Sequence, residues 1–214
     1  MKISHGFSLV EMAVALIIIG LLIGGLLTPI SARIDQKNLK RTDETLEEIK
    51  EALLGFAVIH KRLPCADRDG DGVENFPCNT NETKIEGDLP WRDLGVGRYD
   101  GWGNPFRYRA DKVYANSIPN SLKTENTNYR LKVKNKNKDI NLTSEEKYSN
   151  GKKYSRLVAI IFSYGKNYRA ESENDDADHI YIQDDYVEDT FDDRLTWLSK
   201  YTLMNRLIGA KQWP

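Results

Sequence analysis

The sequence predicts an α+β fold in which one long N-terminal α-helix runs on to pack against an antiparallel β-sheet head. Three observations carry that expectation. Almost every residue from Phe7 to Ile30 is apolar. Beyond that block Leu39, Leu46, Ile49, Leu53 and Phe56 recur in steps of seven, three and four, which draws one buried stripe along an amphipathic helix. After Pro64 the chain turns rich in Gly, Asp, Asn and Pro, and then yields short segments enriched in β-branched and aromatic residues.

The elements follow in order. The apolar block is long enough to span a bilayer as a helix, since about 20 residues at 1.5 Å each match the hydrocarbon thickness. Pro29 removes a backbone hydrogen bond and is expected to kink or loosen the helix there. In the second half Glu47, Glu48, Lys50 and Glu51 fall on the outer side, opposite the apolar stripe. Pro64 ends the helical region, and the stretch to Trp102 reads as a loop with little regular structure. Strands are expected over Phe106–Tyr114, Tyr129–Val133, Leu157–Tyr164 and His179–Ile182, separated by polar connections at 116–128 and 135–151. Arg194–Ile208, bearing Leu195, Leu198, Leu203 and Leu207, reads as a closing amphipathic helix. No internal repeat is present.

With 214 residues the chain has room for one membrane segment and one domain large enough to bury a core. A net charge of −1 announces no nucleic-acid or acidic partner for the chain as a whole. The charge is uneven, however: Lys and Arg cluster over Lys123–Arg156, Asp and Glu over Glu171–Asp193. Such runs make solvated faces, or complementary faces that meet between neighbouring chains. The two cysteines, Cys65 and Cys78, suit a disulfide in an oxidising compartment, with free buried thiols or half of a metal site as the alternatives. Closing so short a loop stabilises a fold by about 3 kcal/mol in the chain-entropy model. No Cys-x-x-Cys or Cys/His spacing supports zinc.

Glu11 is the anomaly of the apolar block, because a carboxylate inside hydrocarbon costs a few kcal/mol and calls for a partner. A secretory signal peptide accounts for Lys2 but not for Glu11, and its best cleavage site near Ser31 and Ala32 has Ile30 where a small residue belongs. A plain anchor also leaves Glu11 unexplained. Gly6-Phe7-Ser8-Leu9-Val10-Glu11 resembles the cleavage and methylation motif of type IV prepilins and of type II secretion pseudopilins. The resemblance implies that a prepilin peptidase/methyltransferase cuts between Gly6 and Phe7 and methylates the new amine of Phe7. It also implies that Glu11 pairs with the terminal amine of a neighbouring subunit, since a buried carboxylate and a buried ammonium become tolerable when they meet. The implied organisation is a leader over 1–6, a membrane-spanning assembly helix over 7–30, an amphipathic continuation over 31–60 and a globular α+β head over 61–214, pilin-like as a whole. Its implied location is the inner membrane, single-pass, with the head in the periplasm and later in a pilus or pseudopilus among sister subunits. Arg33, Lys37, Lys40 and Arg41, just beyond the block, run against the usual positive-inside bias.

Further segments extend the resemblance. Tyr99-Asp100-Gly101-Trp102-Gly103-Asn104-Pro105-Phe106-Arg107-Tyr108 is similar to the Asp-x-Trp-Gly-Asn-Pro segment of major pseudopilins, and Ser163-Tyr164-Gly165-Lys166-Asn167 followed by Asp176-Ala177-Asp178 to their C-terminal loop. Leu63-Pro64-Cys65 with Leu89-Pro90-Trp91, and Phe191-Asp192-Asp193 with Trp197-Leu198, resemble a further group of prepilin-like proteins. The insert from Tyr114 to Tyr154 and the C-terminal tail depart from a compact major pseudopilin, which points to a minor or specialised subunit.

Two segments offer candidate Ca2+ ligands. Asp67, Asp69 and Asp71, with Gly72 beside them, open like a calcium loop, but Cys78 stands where the bidentate acid belongs and Glu74 is the nearest replacement. Glu173, Asp175, Asp176 and Asp178 form the second set, in the loop that calcium orders in major pseudopilins. A plain Asp/Gly turn and a solvated acidic loop are the respective alternatives.

No phosphate-binding glycine loop, nucleophile elbow or His-Glu-x-x-His motif occurs, and His60 and His179 are solitary. Trp91 and Trp102 suit packing better than a ligand platform. Lys132–Lys138 lacks the aromatic interleaving of a single-strand binder, so nucleic acid is not an expected partner. The expectation is a non-enzymatic filament subunit. The alternative is a membrane-anchored periplasmic ligand-binding protein that never polymerises, and cleavage at Gly6 separates the two.

Overall fold

The computed structural model describes residues 8–78, 85–120, 131–143, 145–147, 153–170, 174, 179–187 and 190–213, with the side chains of 23–30, 146–147 and 153–155 outside that description. The chain forms two compact units, Met1–Lys40 and Arg41–Pro214.

Helix α1 (Leu9–His60) supplies the described part of the first unit and the opening element of the second. From Leu9 to Leu22 every side chain is exposed, the large apolar ones by between 49% and 90%. A helix apolar on all sides is matched to an apolar surrounding rather than to water. Among the described residues no helix is long and apolar enough to cross a membrane. The expected span, 7–30, lies partly outside them.

The second unit is built on a four-stranded antiparallel sheet in the order β1 (Glu86–Asp88), β2 (Arg107–Ala110), β6 (Leu157–Ser163), β8 (Arg194–Ser199). The central strand β6 is buried at every position, which explains its continuous apolar run Leu-Val-Ala-Ile-Ile-Phe. Ala159 and Ile161 face the core that α1 closes with Leu46, Ile49, Leu53 and Ala57. Ile160 and Phe162 face a second core with Leu131, Val133 and Tyr181. An irregularity in pairing between Leu157 and Ala159 shifts the alternation there and puts Val158 on the α1 side together with Ala159.

The second core is roofed by the parallel pair β3 (Lys132–Lys134) and β7 (Ile180–Ile182). These strands come from the basic and the acidic runs respectively, although β7 is Ile-Tyr-Ile and carries no acid. A separate hairpin joins β4 (Glu145–Lys147) to β5 (Lys153–Ser155), and Lys132 reaches Glu145 at 2.7 Å. The expected polar connection over 135–151 therefore contains a strand.

Two further expectations are corrected. The strand expected over Phe106–Tyr114 ends at Ala110, because Asp111 accepts the Val113 N–H at 2.9 Å and caps helix α3 (Lys112–Asn116). The closing helix begins only at Lys200, as α4 (Lys200–Gly209), with Ser199 as its cap. Residues 194–199 are strand β8 instead, since Leu195 and Trp197 alternate with Thr196 and Leu198 across the two sheet faces. Within the loop of 64–102 lie β1 and the short helix α2 (Trp91–Leu94). Strand β1 is held on its outer side by Asp67, whose backbone exchanges both hydrogen bonds with Asp88. Gly87 permits this approach, because a Cβ there would strike the Asp67 carbonyl.

Candidate processing and assembly motif

Helix α1 starts with a reciprocal cap. The Ser8 backbone N–H donates to Glu11 Oε2 at 2.8 Å, and the Glu11 N–H donates to Ser8 Oγ at 3.2 Å. This Ser-x-x-Glu box satisfies two donors that the helix start leaves open, and it places the carboxylate at the positive end of the helix dipole. The acid that looked stranded in an apolar block is thus held in the first turn of the helix. Gly6 and Phe7 lie outside the described residues.

The disulfide expected between Cys65 and Cys78 is formed, with Cα atoms 5.2 Å apart. Inside the loop it closes, the carboxylates of Asp67, Asp69 and Asp71 converge to within 4.8 Å of one another. Asp67 is buried, and its oxygens already accept the N–H groups of Gly70 at 2.8 Å and Gly72 at 2.7 Å. Burial pushes the Asp67 carboxyl up, against those two N–H bonds. Glu74, the fourth candidate ligand, is directed elsewhere: it receives Arg62 at 2.5 and 2.7 Å and the Cys65 N–H at 2.9 Å. Burial raises the Glu74 carboxyl, yet Arg62 and the Cys65 N–H hold it below the usual range. Calcium takes six to eight oxygens. Three aspartates, the innermost engaged in a turn, meet that demand only in part. The other candidate set, Glu173, Asp175, Asp176 and Asp178, lies outside the described residues.

Residues 1–27 match the family model described as the prokaryotic N-terminal methylation motif. The chain carries a prepilin-type signal. No curated protein and no solved structure matches it. The match covers the capped start of α1 and most of the apolar block.

The Asp-Gly-Trp-Gly-Asn-Pro segment is a clamp around the buried Asp100. Asp100 accepts the N–H groups of Trp102 and Asn104, both at 2.8 Å, and the Ser163 hydroxyl at 2.6 Å. Gly101 donates to Thr42 on α1 at 3.0 Å, and the Asn104 amide to the Gly165 carbonyl at 2.7 Å. One loop so ties the helix to the end of β6. Trp91 packs against the core, as expected for a packing residue, and Trp102 is half-buried in this loop.

Two polar arrangements escaped the sequence. Asp43, Glu47 and Glu51, four residues apart on α1, meet Arg194, Thr196 and Arg206. Arg194 contacts Asp43 with two bonds of 2.9 Å. The spacing of the acids was legible, but their partners, some 150 residues away, were not. The second arrangement links β1 and β2 to β7: the Tyr181 hydroxyl donates to Glu86 at 2.5 Å and accepts from Arg109 at 3.3 Å, while Arg107 reaches Asp88 at 2.7 Å. His179, solitary in sequence, meets Arg109 at 2.9 Å in the same network.

Proposed function

We propose that this chain is a structural subunit, a minor pilin or pseudopilin, of a type IV pilus or type II secretion-like filament. The observation that carries the reading is a methylation motif opening a helix whose apolar side chains face outward on every side. A prepilin peptidase removes residues 1–6 and methylates Phe7. The helix then sits in the inner membrane, with the disulfide-bearing head in the oxidising periplasm, until sister helices replace lipid around it. In the filament Glu11 leaves the Ser8 N–H and takes a neighbour's Phe7 amine. That exchange is favourable because a charge-assisted bond to an ammonium is stronger than one to a neutral amide. The subunit is non-enzymatic, and the second roofed core makes its head bulkier than a bare helix-on-sheet unit, as suits a specialised position.

Glu11→Ala tests the assembly role. The variant is expected to insert and to be cleaved like wild type, yet to be depleted from sheared filaments by at least about tenfold, the loss that one such pair of about 1.4 kcal/mol implies. Wild-type incorporation of the variant contradicts the pairing.

A further inference from the structure

The loop that leaves β3 has had no role so far. Its residues Asn141-Leu142-Thr143 form an Asn-x-Thr acceptor sequence with no proline at the middle position. Such an asparagine takes a glycan where it is exposed on the far side of a secretory membrane. Residues 136–142 are exposed, and the formed Cys65–Cys78 disulfide suits an oxidising compartment.

The loop fixes how this asparagine is presented. The Asn135 N–H donates to the Ile140 carbonyl at 3.1 Å, and Asn135 Oδ1 accepts the Ile140 N–H at 3.0 Å. On the other side the Leu142 N–H donates to the Val133 carbonyl at 2.8 Å. Held between these anchors, Asn141 Oδ1 accepts the Thr143 hydroxyl at 2.9 Å and the Thr143 N–H at 3.3 Å. Both bonds fall on the amide oxygen. The amide nitrogen, the atom that carries a glycan, has no partner among the described residues. Asp139, two positions earlier, is exposed and accepts the Asn135 amide at 2.6 Å, with lone pairs left for a cation on an incoming enzyme. Ile140 and Leu142 flank the asparagine and are 56% and 43% exposed. A bulky, solubilising sugar between them suits this apolar tip to water.

We infer that Asn141 is an N-glycosylation site, modified by a membrane oligosaccharyltransferase from a lipid-pyrophosphate-linked oligosaccharide. Asn141 Nδ2 attacks the anomeric carbon, and a C–N bond forms as the C–O bond to the pyrophosphate breaks. The lipid pyrophosphate leaves with the electron pair, and one amide proton passes to a base of the transferase. Hydrogen bonds to Oδ1 ease the loss of that proton, because they favour negative charge on the amide oxygen. This inference rests on the periplasmic placement of the head and not on polymerisation.

Peptide mass spectrometry of the full chain purified from its native membrane tests it. Trypsin cuts after Lys138 and Lys147, so the peptide 139–147 isolates the site. This peptide is expected to be heavier by a sum of sugar residues, with the added mass on Asn141. Asn141→Gln and Thr143→Val are expected to lose the sugar, and Thr143→Ser, which keeps the hydroxyl, to retain it. An unmodified peptide from a protein whose Cys65 and Cys78 are paired overturns the inference and leaves the filament reading standing. A sugar that persists in Asn141→Gln overturns it too, as does a sugar found on Asn81 of the other Asn-x-Thr sequence alone. Reduced cysteines together with an unmodified peptide overturn the periplasmic placement along with it.

Discussion

Asp111 is buried at the start of α3, and burial lifts its carboxyl to about 7, against the Val113 N–H it accepts and the field of Arg109. The unfolded chain releases this proton near the ordinary value of about 3.9, so folding favours the protonated form. Its contribution is therefore fully present below about pH 4 and is lost as pH rises to about 7, a difference of about 4 kcal/mol at most. Asparagine keeps the cap and carries no charge. Asp111→Asn is expected to match wild type in urea unfolding near pH 4 and to exceed it above pH 7. Equal midpoints at pH 8 contradict the assignment. The sequence gives no hint of this group, because its burial arises from chain segments far away in sequence. Ser8 and Glu11, by contrast, meet across one turn, and such local pairs are legible from spacing alone.

Among the elements, the loop between Cys65 and Cys78 concentrates the local constraints. Arg62 lies over the Phe76 ring at 4.3 Å while it holds Glu74, so the staple is backed by an ion pair and an aromatic face. Replacing both cysteines by serine is expected to lower unfolding free energy by about 3 kcal/mol with the head still folded, as read by urea titration under oxidising conditions. An unchanged midpoint contradicts that contribution. Long periodic elements were read well: the stripe Leu46, Ile49, Leu53 enters the core, and β6 falls where its apolar run indicated. The segment 194–208 was misread because leucines at 195, 198, 203 and 207 also fit a helix, while the change from strand to helix at Ser199 rests on one cap. Strand β1, only three residues long, has no periodicity to read and exists because Asp67 and β2 flank it.

For the molecule as a whole, the antiparallel sheet on a long helix was legible, and the roof over its other face was not. The parallel pairing of β3 with β7 joins segments almost fifty residues apart, which no local pattern announces. It also sets a strand from the basic run beside a strand from the acidic run, although β7 itself is Ile-Tyr-Ile and brings no acid to the pairing. What the whole chain does then turns on its first residues. The decisive measurement is the N-terminal sequence and intact mass of the protein purified from its native membrane. A mature chain that starts at Phe7 and is heavier by one methyl group is the predicted result. A chain that starts at Met1, or near Arg33, contradicts the prepilin pathway and with it the filament.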